Sequence, residues 1–278
     1  MQAPTKETIL KDAKGRNFPL RSWIPKGATT QVTIVHGYAQ HISCYHHWIE
    51  ILNTKKIAVH IFDLLGHGEA EGIRGHIYNF QEFINLLKQV TKKNPHQLKN
   101  KPSFLFAHSM GGTIASHYML QEPNDYKGLI LSSPLIGFHF PQSVWGKVIA
   151  KWFQKKSSSL PIPKPPGNRT LSRDPKSLEA YVRDPLRLRV ITPNLYLQMV
   201  DWTHDLQKNA PRLTCPTLIF MSEQDQVVSD EKITRFFKDL PIDDKKLVVF
   251  GLSQHEILNE PEESQLTRVM LQWMKERV

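Results

Sequence analysis

The stretch Phe104-Leu105-Phe106-Ala107-His108-Ser109-Met110-Gly111-Gly112-Thr113 restricts the fold more than any other part of this chain. An apolar run of strand character stops at a serine, and two glycines and a helical pattern follow at once. A chain that passes from strand to helix through one residue needs small neighbours two positions before and after it, and Ala107 and Gly111 supply them. Such a turn lifts the serine hydroxyl above a sheet. It also sets the Met110 N–H at a helix start, where it can face a developing oxyanion. The pattern predicts Ser109 as a nucleophile at the carboxyl end of a buried strand.

Other short apolar runs repeat the strand signal. Arg16–Trp23, Gln31–Val35, Ile57–Phe62, Gly128–Leu131, Thr217–Met221 and Leu247–Phe250 read as strands, mostly buried on both faces of a parallel sheet. Helical patterns separate them. Phe80, Phe83, Ile84, Leu87 and Val90 share one helix face, with Asn79 and Glu82 spaced as a capping box. The last helix is expected from Pro261, with Leu266, Val269, Met270 and Trp273 on its inner face. This alternation predicts an α/β fold with a mostly parallel, doubly wound sheet. It breaks between Pro134 and Arg212, where prolines cluster and no clear strand is visible. Residues 1–133 and 213–278 therefore read as the core, and 134–212 as an inserted, mostly helical cap.

A serine hydroxyl becomes a useful nucleophile only when a base takes its proton and a third group orients that base. In α/β-hydrolases the partners follow in the order Ser, acid, His, on loops after later strands. Asp225, a few residues past the run Thr217–Met221, fits the acid, with Glu223 and Asp230 as competitors. His255, after Leu247–Phe250, fits the base and is the only histidine beyond residue 204. The second oxyanion donor is expected from the loop after an early strand, and the Tyr38 N–H in His36-Gly37-Tyr38-Ala39 holds that place. His36 reads as a structural support of that loop, with no identifiable acid partner. His67 reads as a loop residue, and His41 and the pair His46-His47 lack metal-ligand spacing, so no metal is expected.

At these residues the chain resembles the monoacylglycerol lipase and lysophospholipase branch of the α/β-hydrolases, the serine aminopeptidase S33-like group. Val35-His36-Gly37 with His41 and Tyr45 is similar to that branch's oxyanion loop, with Gln40 where Glu is common. Gly66-His67-Gly68-Glu69-Ala70-Glu71-Gly72-Ile73-Arg74-Gly75 is similar to a second motif of the group, with Ala70 in place of its serine. Leu171–Pro175 and Asp184-Pro185-Leu186 look like its cap motifs, and His255-Glu256-Ile257-Leu258-Asn259-Glu260 resembles its most specific signature. The resemblance implies a cofactor-free serine esterase acting on an acyl ester with a small polar head. A short-chain carboxylesterase, a peptidase of the same fold and a catalytically silent binding protein remain alternatives.

Charge and cysteines bear on partners and setting. The net charge of +10 is concentrated in residues 134–212, where thirteen basic residues face five acidic ones. That surplus beside a lipid-ester site predicts peripheral contact with anionic membrane, and no recognition motif accompanies it to suggest nucleic acid. Trp145, Trp152, Phe153, Leu195, Tyr196, Met199 and Trp202 are candidates either for an acyl pocket or for the cap's own packing. Two cysteines, the absence of an apolar leader and the lack of any run of about 20 apolar residues fit a cytosolic protein.

Overall fold

The computed structural model describes residues 3–139, 158–163 and 171–278. Eight strands form one sheet: β1 (Lys6–Lys11), β2 (Asn17–Trp23), β3 (Thr30–Val35), β4 (Ile57–Phe62), β5 (Ser103–His108), β6 (Leu129–Ser132), β9 (Thr217–Ser222) and β10 (Lys245–Phe250). Their spatial order is β1-β2-β4-β3-β5-β6-β9-β10. The first two pairings, β1 with β2 and β2 with β4, are antiparallel, and the other five are parallel. The expected doubly wound α/β architecture is therefore present, with an antiparallel edge.

Every residue of β3, β4, β5, β6 and β9 is buried, as mostly apolar runs allow, with Gln31, Thr33 and His60 among the polar side chains taken into the sheet. The outermost strand β10 departs from that expectation. It borders solvent on one side and leaves Val249 44% exposed.

Helices cover both faces. Phe83 and Leu87 of α2 (Gln81–Lys93) and Ile114 and Tyr118 of α3 (Met110–Gln121) pack in one layer with Leu105 of β5. Trp48 and Leu52 of α1 (His46–Thr54) and Leu266 and Met270 of α7 (Glu263–Lys275) pack in the other with Phe104 and Phe106. Each such side chain contributes about 1.5–3 kcal/mol on burial. At the head of α2, Asn79 Oδ1 accepts the Gln81 N–H (2.9 Å) and Glu82 Oε1 accepts the Asn79 N–H (3.2 Å). The reciprocal cap thus forms at Asn79, two residues ahead of the first helical residue. The last helix begins at Glu263 rather than Pro261, because Glu262 supplies the carbonyl for the Leu266 N–H.

Between β6 and β9 the described residues include α4 (Pro175–Arg183) and α5 (Pro193–Asn209). Asp174 caps α4 by accepting the Lys176 and Ser177 N–H groups, and Pro175 sits at its first turn. A two-residue antiparallel pair, β7 (Ile162–Pro163) with β8 (Val190–Ile191), was not visible in the sequence; it is too short to show a period. Leu195 and Met199 are buried in the main core, and Trp202 stacks on Phe80 with ring centres 5.2 Å apart. They fasten α5 to the sheet domain. Trp145, Trp152 and Phe153 lie outside the described residues. Among the described residues, no helix is long and apolar enough to cross a membrane.

The parallel register brings the carboxyl ends of the central strands level. His108 pairs with Ser132, Ser132 with Phe220, and Phe250 with Ser222. The loops that leave β5, β9 and β10 therefore open onto the same rim.

Candidate active site

Only Ser109 separates β5 from α3, and its backbone holds φ 53° and ψ −121°. A positive φ at a residue with a Cβ costs on the order of 1–3 kcal/mol, so the surroundings have to impose it. The Ser109 N–H donates to the Ser132 carbonyl (3.1 Å), and its own carbonyl accepts the Gly112 (2.8 Å) and Leu135 (2.9 Å) N–H groups. The small residue two positions on is a steric necessity. A Cβ on Gly111 would lie 2.3 Å from the Val35 carbonyl oxygen.

His255 and Asp225 reach Ser109 from the loops after β10 and β9. His255 Nε2 is 3.0 Å from Ser109 Oγ, and His255 Nδ1 is 2.7 Å from Asp225 Oδ2. All three residues are buried, with Ser109 8% exposed at the rim. The other carboxylate oxygen of Asp225 accepts the Val227 (2.8 Å) and Val228 (3.0 Å) N–H groups, which fixes the carboxylate plane. Burial alone would raise the Asp225 carboxyl. The charge and hydrogen bond of His255 with the two backbone donors outweigh it and hold the group below its ordinary value. An ionised Asp225 accepts from Nδ1–H, so Nε2 presents its lone pair to the serine hydroxyl. The rival acids lie elsewhere: Glu223 is exposed beside Gly251, and Asp230 opens α6 (Asp230–Asp239).

A second histidine, His108, adjoins Ser109 and has its ring centre 5.0 Å from that of His255. It is engaged differently. Its Nδ1 bonds the Ser132 carbonyl at 3.0 Å, and burial pushes its pKa down to about 3, so it stays neutral.

The oxyanion-loop residues also converge on the serine. A Cβ on Gly37 would come 3.1 Å from Ser109 Cβ, so the backbone leading into Tyr38 passes directly beside Ser109. Met110 is the first residue of α3, where a helical N–H has no carbonyl one turn back to bond. Gln40 shapes this loop: its Oε1 accepts both the Gly37 N–H (2.9 Å) and the Tyr45 hydroxyl (2.7 Å). The sequence marked Gln40 only as a departure, since its partners become neighbours only on folding. The Tyr38 hydroxyl donates to the Val190 carbonyl (2.7 Å) and ties the loop to β8.

His36 is fully buried, with Nδ1 bonded to the Gly37 carbonyl and Nε2 accepting the Leu64 N–H. Burial drives its pKa well below the ordinary histidine value, as a structural support requires. The sequence showed no acid near it, but folding brings Asp63 Oδ1 to 4.0 Å. Asp63 itself organises the next loop by accepting the Ile42 and Glu69 N–H groups. His67 bonds the Leu65 carbonyl and sits against His36, Tyr38 and Phe83. Among the described residues one group has the donor types of a metal site: His41, Cys44 and Asp184, with ligand atoms within 4.8 Å of one another. Its His41–Asp184 contact (2.7 Å) joins the loop after Gln40 to the segment after α4.

A family model described as "Hydrolase_4: Serine aminopeptidase, S33" matches residues 27–262. The monoacylglycerol lipase of Mycolicibacterium smegmatis is 26% identical over 251 residues, covering 90% of this chain and 88% of the relative. Phospholipase YtpA of Bacillus subtilis is 26% identical over 244 residues, covering 87% and 93%. The crystal structure of the Paleococcus ferrophilus monoacylglycerol lipase superposes with a TM-score of 0.84 at 26% identity, covering 93% of this chain and 98% of that one. With a mostly parallel sheet, a serine at the strand–helix turn and a family match over most of its length, the chain belongs to the serine aminopeptidase S33 family of α/β-hydrolases.

Proposed function

We propose that this protein is a serine hydrolase that cleaves carboxylic esters of lipids, monoacylglycerols or lysophospholipids, through an acyl-enzyme. The observation that carries the reading is the unbroken chain from Ser109 Oγ through His255 to Asp225, with links of 3.0 and 2.7 Å. Ser109 Oγ attacks the ester carbonyl as His255 Nε2 takes its proton, and Asp225 stabilises the imidazolium. The Tyr38 and Met110 N–H groups receive the negative charge on the carbonyl oxygen. Collapse expels the alcohol, which leaves with the proton from His255. His255 then deprotonates a water that attacks the acyl carbon, and a second collapse frees the fatty acid and restores Ser109. No step needs a metal or cofactor.

The lipid choice is supported by the names of the relatives, two monoacylglycerol lipases and a phospholipase. In this reading residues 134–212 form a cap over the core of residues 1–133 and 213–278. A panel of monoacylglycerols, lysophospholipids, short-chain p-nitrophenyl esters and aminoacyl amides tests it. The expected result is hydrolysis of the long-chain esters at a kcat/KM at least about tenfold above the others, with a fluorophosphonate adduct on Ser109. Preference for amides or for acetyl esters would replace the lipid reading with a peptidase or a short-chain esterase. Absence of the adduct would leave a binding protein.

The basic surplus of residues 134–212 supports a second element of the reading, peripheral contact with anionic lipid. Among the described residues, Lys176, Arg189, Lys208 and Arg212 are exposed there. Sedimentation with phosphatidylglycerol vesicles should exceed that with phosphatidylcholine vesicles and fall as salt rises. Equal recovery with both vesicles removes this element. A cytoplasmic setting belongs to the same reading and accords with two free thiols, Cys44 and Cys215.

A further inference from the structure

The string that follows His255 is more than a connection to α7. Glu256 and Glu260 are buried, at 7% and 5% exposure, and carboxylates at that depth need partners. Both receive an arginine from the segment between β6 and β9. Arg187 Nη1 donates to Glu256 Oε1 at 3.1 Å, and Arg173 Nε donates to Glu260 Oε2 at 2.8 Å. Arg187 is itself 9% exposed and lies over the Tyr181 ring, 4.4 Å from its centre. The segment adds neutral bonds as well. The Glu256 N–H donates to the Leu171 carbonyl (2.8 Å), and the Ser172 hydroxyl donates to the Asn259 carbonyl (3.0 Å). Asn259 Nδ2 in turn donates to Glu256 Oε2 at 2.5 Å. The loop that presents the base is thus clamped to residues 171–187.

We propose that Arg187 is a positioning residue for the ester-cleaving reaction, acting through Glu256 to hold the place and the charge environment of His255. The proposal rests on the hydrolase reading above.

His255 stands between two carboxylates. Asp225 is hydrogen-bonded to it, while Glu256 acts on it only through the field. Among the described residues the neutral His108 and the Ser109 hydroxyl also border it. Around Glu256 stand Arg187, His108, His255 and Asn259, with Cys44, Tyr45 and Tyr181 close enough to feel its charge. Burial pushes those last three groups toward their neutral forms. Burial would also raise the Glu256 carboxyl, but the Arg187 charge overrides it and the group is pulled down to about 2. Glu256 is therefore a fixed negative charge beside the base, and Arg187 is the cation that balances it. Without Arg187 the Glu256 carboxyl rises under burial, and at any pH above its new value the unbalanced carboxylate favours the imidazolium of His255, the form that cannot accept the Ser109 proton. The loop also loses one of its anchors.

The test compares the wild type with Arg187→Gln, Glu256→Gln, the apolar double variant Arg187→Leu/Glu256→Leu, and Arg183→Gln. The last lies in the same segment but, among the described residues, pairs only with the exposed Glu179. His255 is followed by NMR titration of histidine-labelled protein, which needs no catalysis, and the acid limb of kcat/KM is measured beside it. Arg187→Gln should move both the titration and the limb to higher pH by on the order of one unit. It should also lower kcat about tenfold with little change in KM. Glu256→Gln should move them to lower pH, and the double variant should return them to near the wild-type position. Arg183→Gln should match the wild type. Folded Arg187→Gln and Glu256→Gln proteins whose His255 titrates as in the wild type would overturn the proposal. If Arg187→Gln does not fold, the sign of the Glu256→Gln shift and the double variant decide. A shifted titration in a protein that hydrolyses no ester would overturn the hydrolase reading instead.

Discussion

Ser109→Ala should lower kcat on the preferred lipid ester by about 10⁴- to 10⁶-fold, or about 5–8 kcal/mol of transition-state stabilisation. The substitution deletes the one oxygen that His255 Nε2 contacts at 3.0 Å and leaves the rest of the site in place. The backbone at this position already carries a Cβ at φ 53°, so alanine meets no new strain. The bonds to Ser132, Gly112 and Leu135 all use main-chain atoms and persist. Thermal unfolding should therefore shift by about 1 kcal/mol or less, the range for a change that removes no packing. In the proposed mechanism the residual rate comes from the Tyr38 and Met110 N–H groups acting on a water-attacked ester. Steady-state kinetics and intact mass after fluorophosphonate treatment check the expectation. A variant that retains a tenth of the activity, or still takes up the probe, would remove Ser109 from the reaction.

Asp225→Asn should be nearly as damaging, about 10⁴-fold in kcat, for a reason specific to this loop. The Val227 and Val228 N–H groups both point at Asp225 Oδ1. An asparagine has to keep its single oxygen there, because its amide NH₂ cannot accept from them. The NH₂ then faces His255 Nδ1 as a donor, and the ring takes the tautomer that carries its proton on Nε2. That tautomer cannot accept from the Ser109 hydroxyl. The fold should survive, since the loop bonds are retained and the replaced atom is isosteric. Fluorophosphonate labelling should slow in step with ester hydrolysis, whereas loss of hydrolysis with labelling at the wild-type rate would contradict the tautomer argument.

The parts of this molecule that were legible in the sequence are those controlled by local physics. The parallel strands announced themselves because burial on both faces demands mostly apolar runs, as in Ile57–Phe62, interrupted only by His60, and Leu218–Met221. The turn at Ser109 was legible because only small residues at positions 107 and 111 allow it. Asp225 and His255 were legible through chain order, since loops after parallel strands emerge on one side of the sheet. The edge strand β1, the exposure of β10 and the pair β7–β8 were not. The edge strand β1 lacks the apolar run of a central one, and two residues are too few to carry a period.

What the sequence alone determined was the fold class, the identity of the nucleophile candidate and the order of its partners. These depend on backbone sterics and on apolar patterning, both local to a few residues. Only the tertiary structure decided which groups balance the charges around the site. Arg187 and Glu256 are 69 residues apart, and Asp63 meets His36 across 27. A buried charge is stabilised by whichever opposite charge the packed chain brings within a few ångströms, and no periodicity in the sequence records that distance. The serine turn therefore pointed to a nucleophile candidate, while the pairing of Glu256 with Arg187 emerged only when the segment between β6 and β9 packed against the loop after β10.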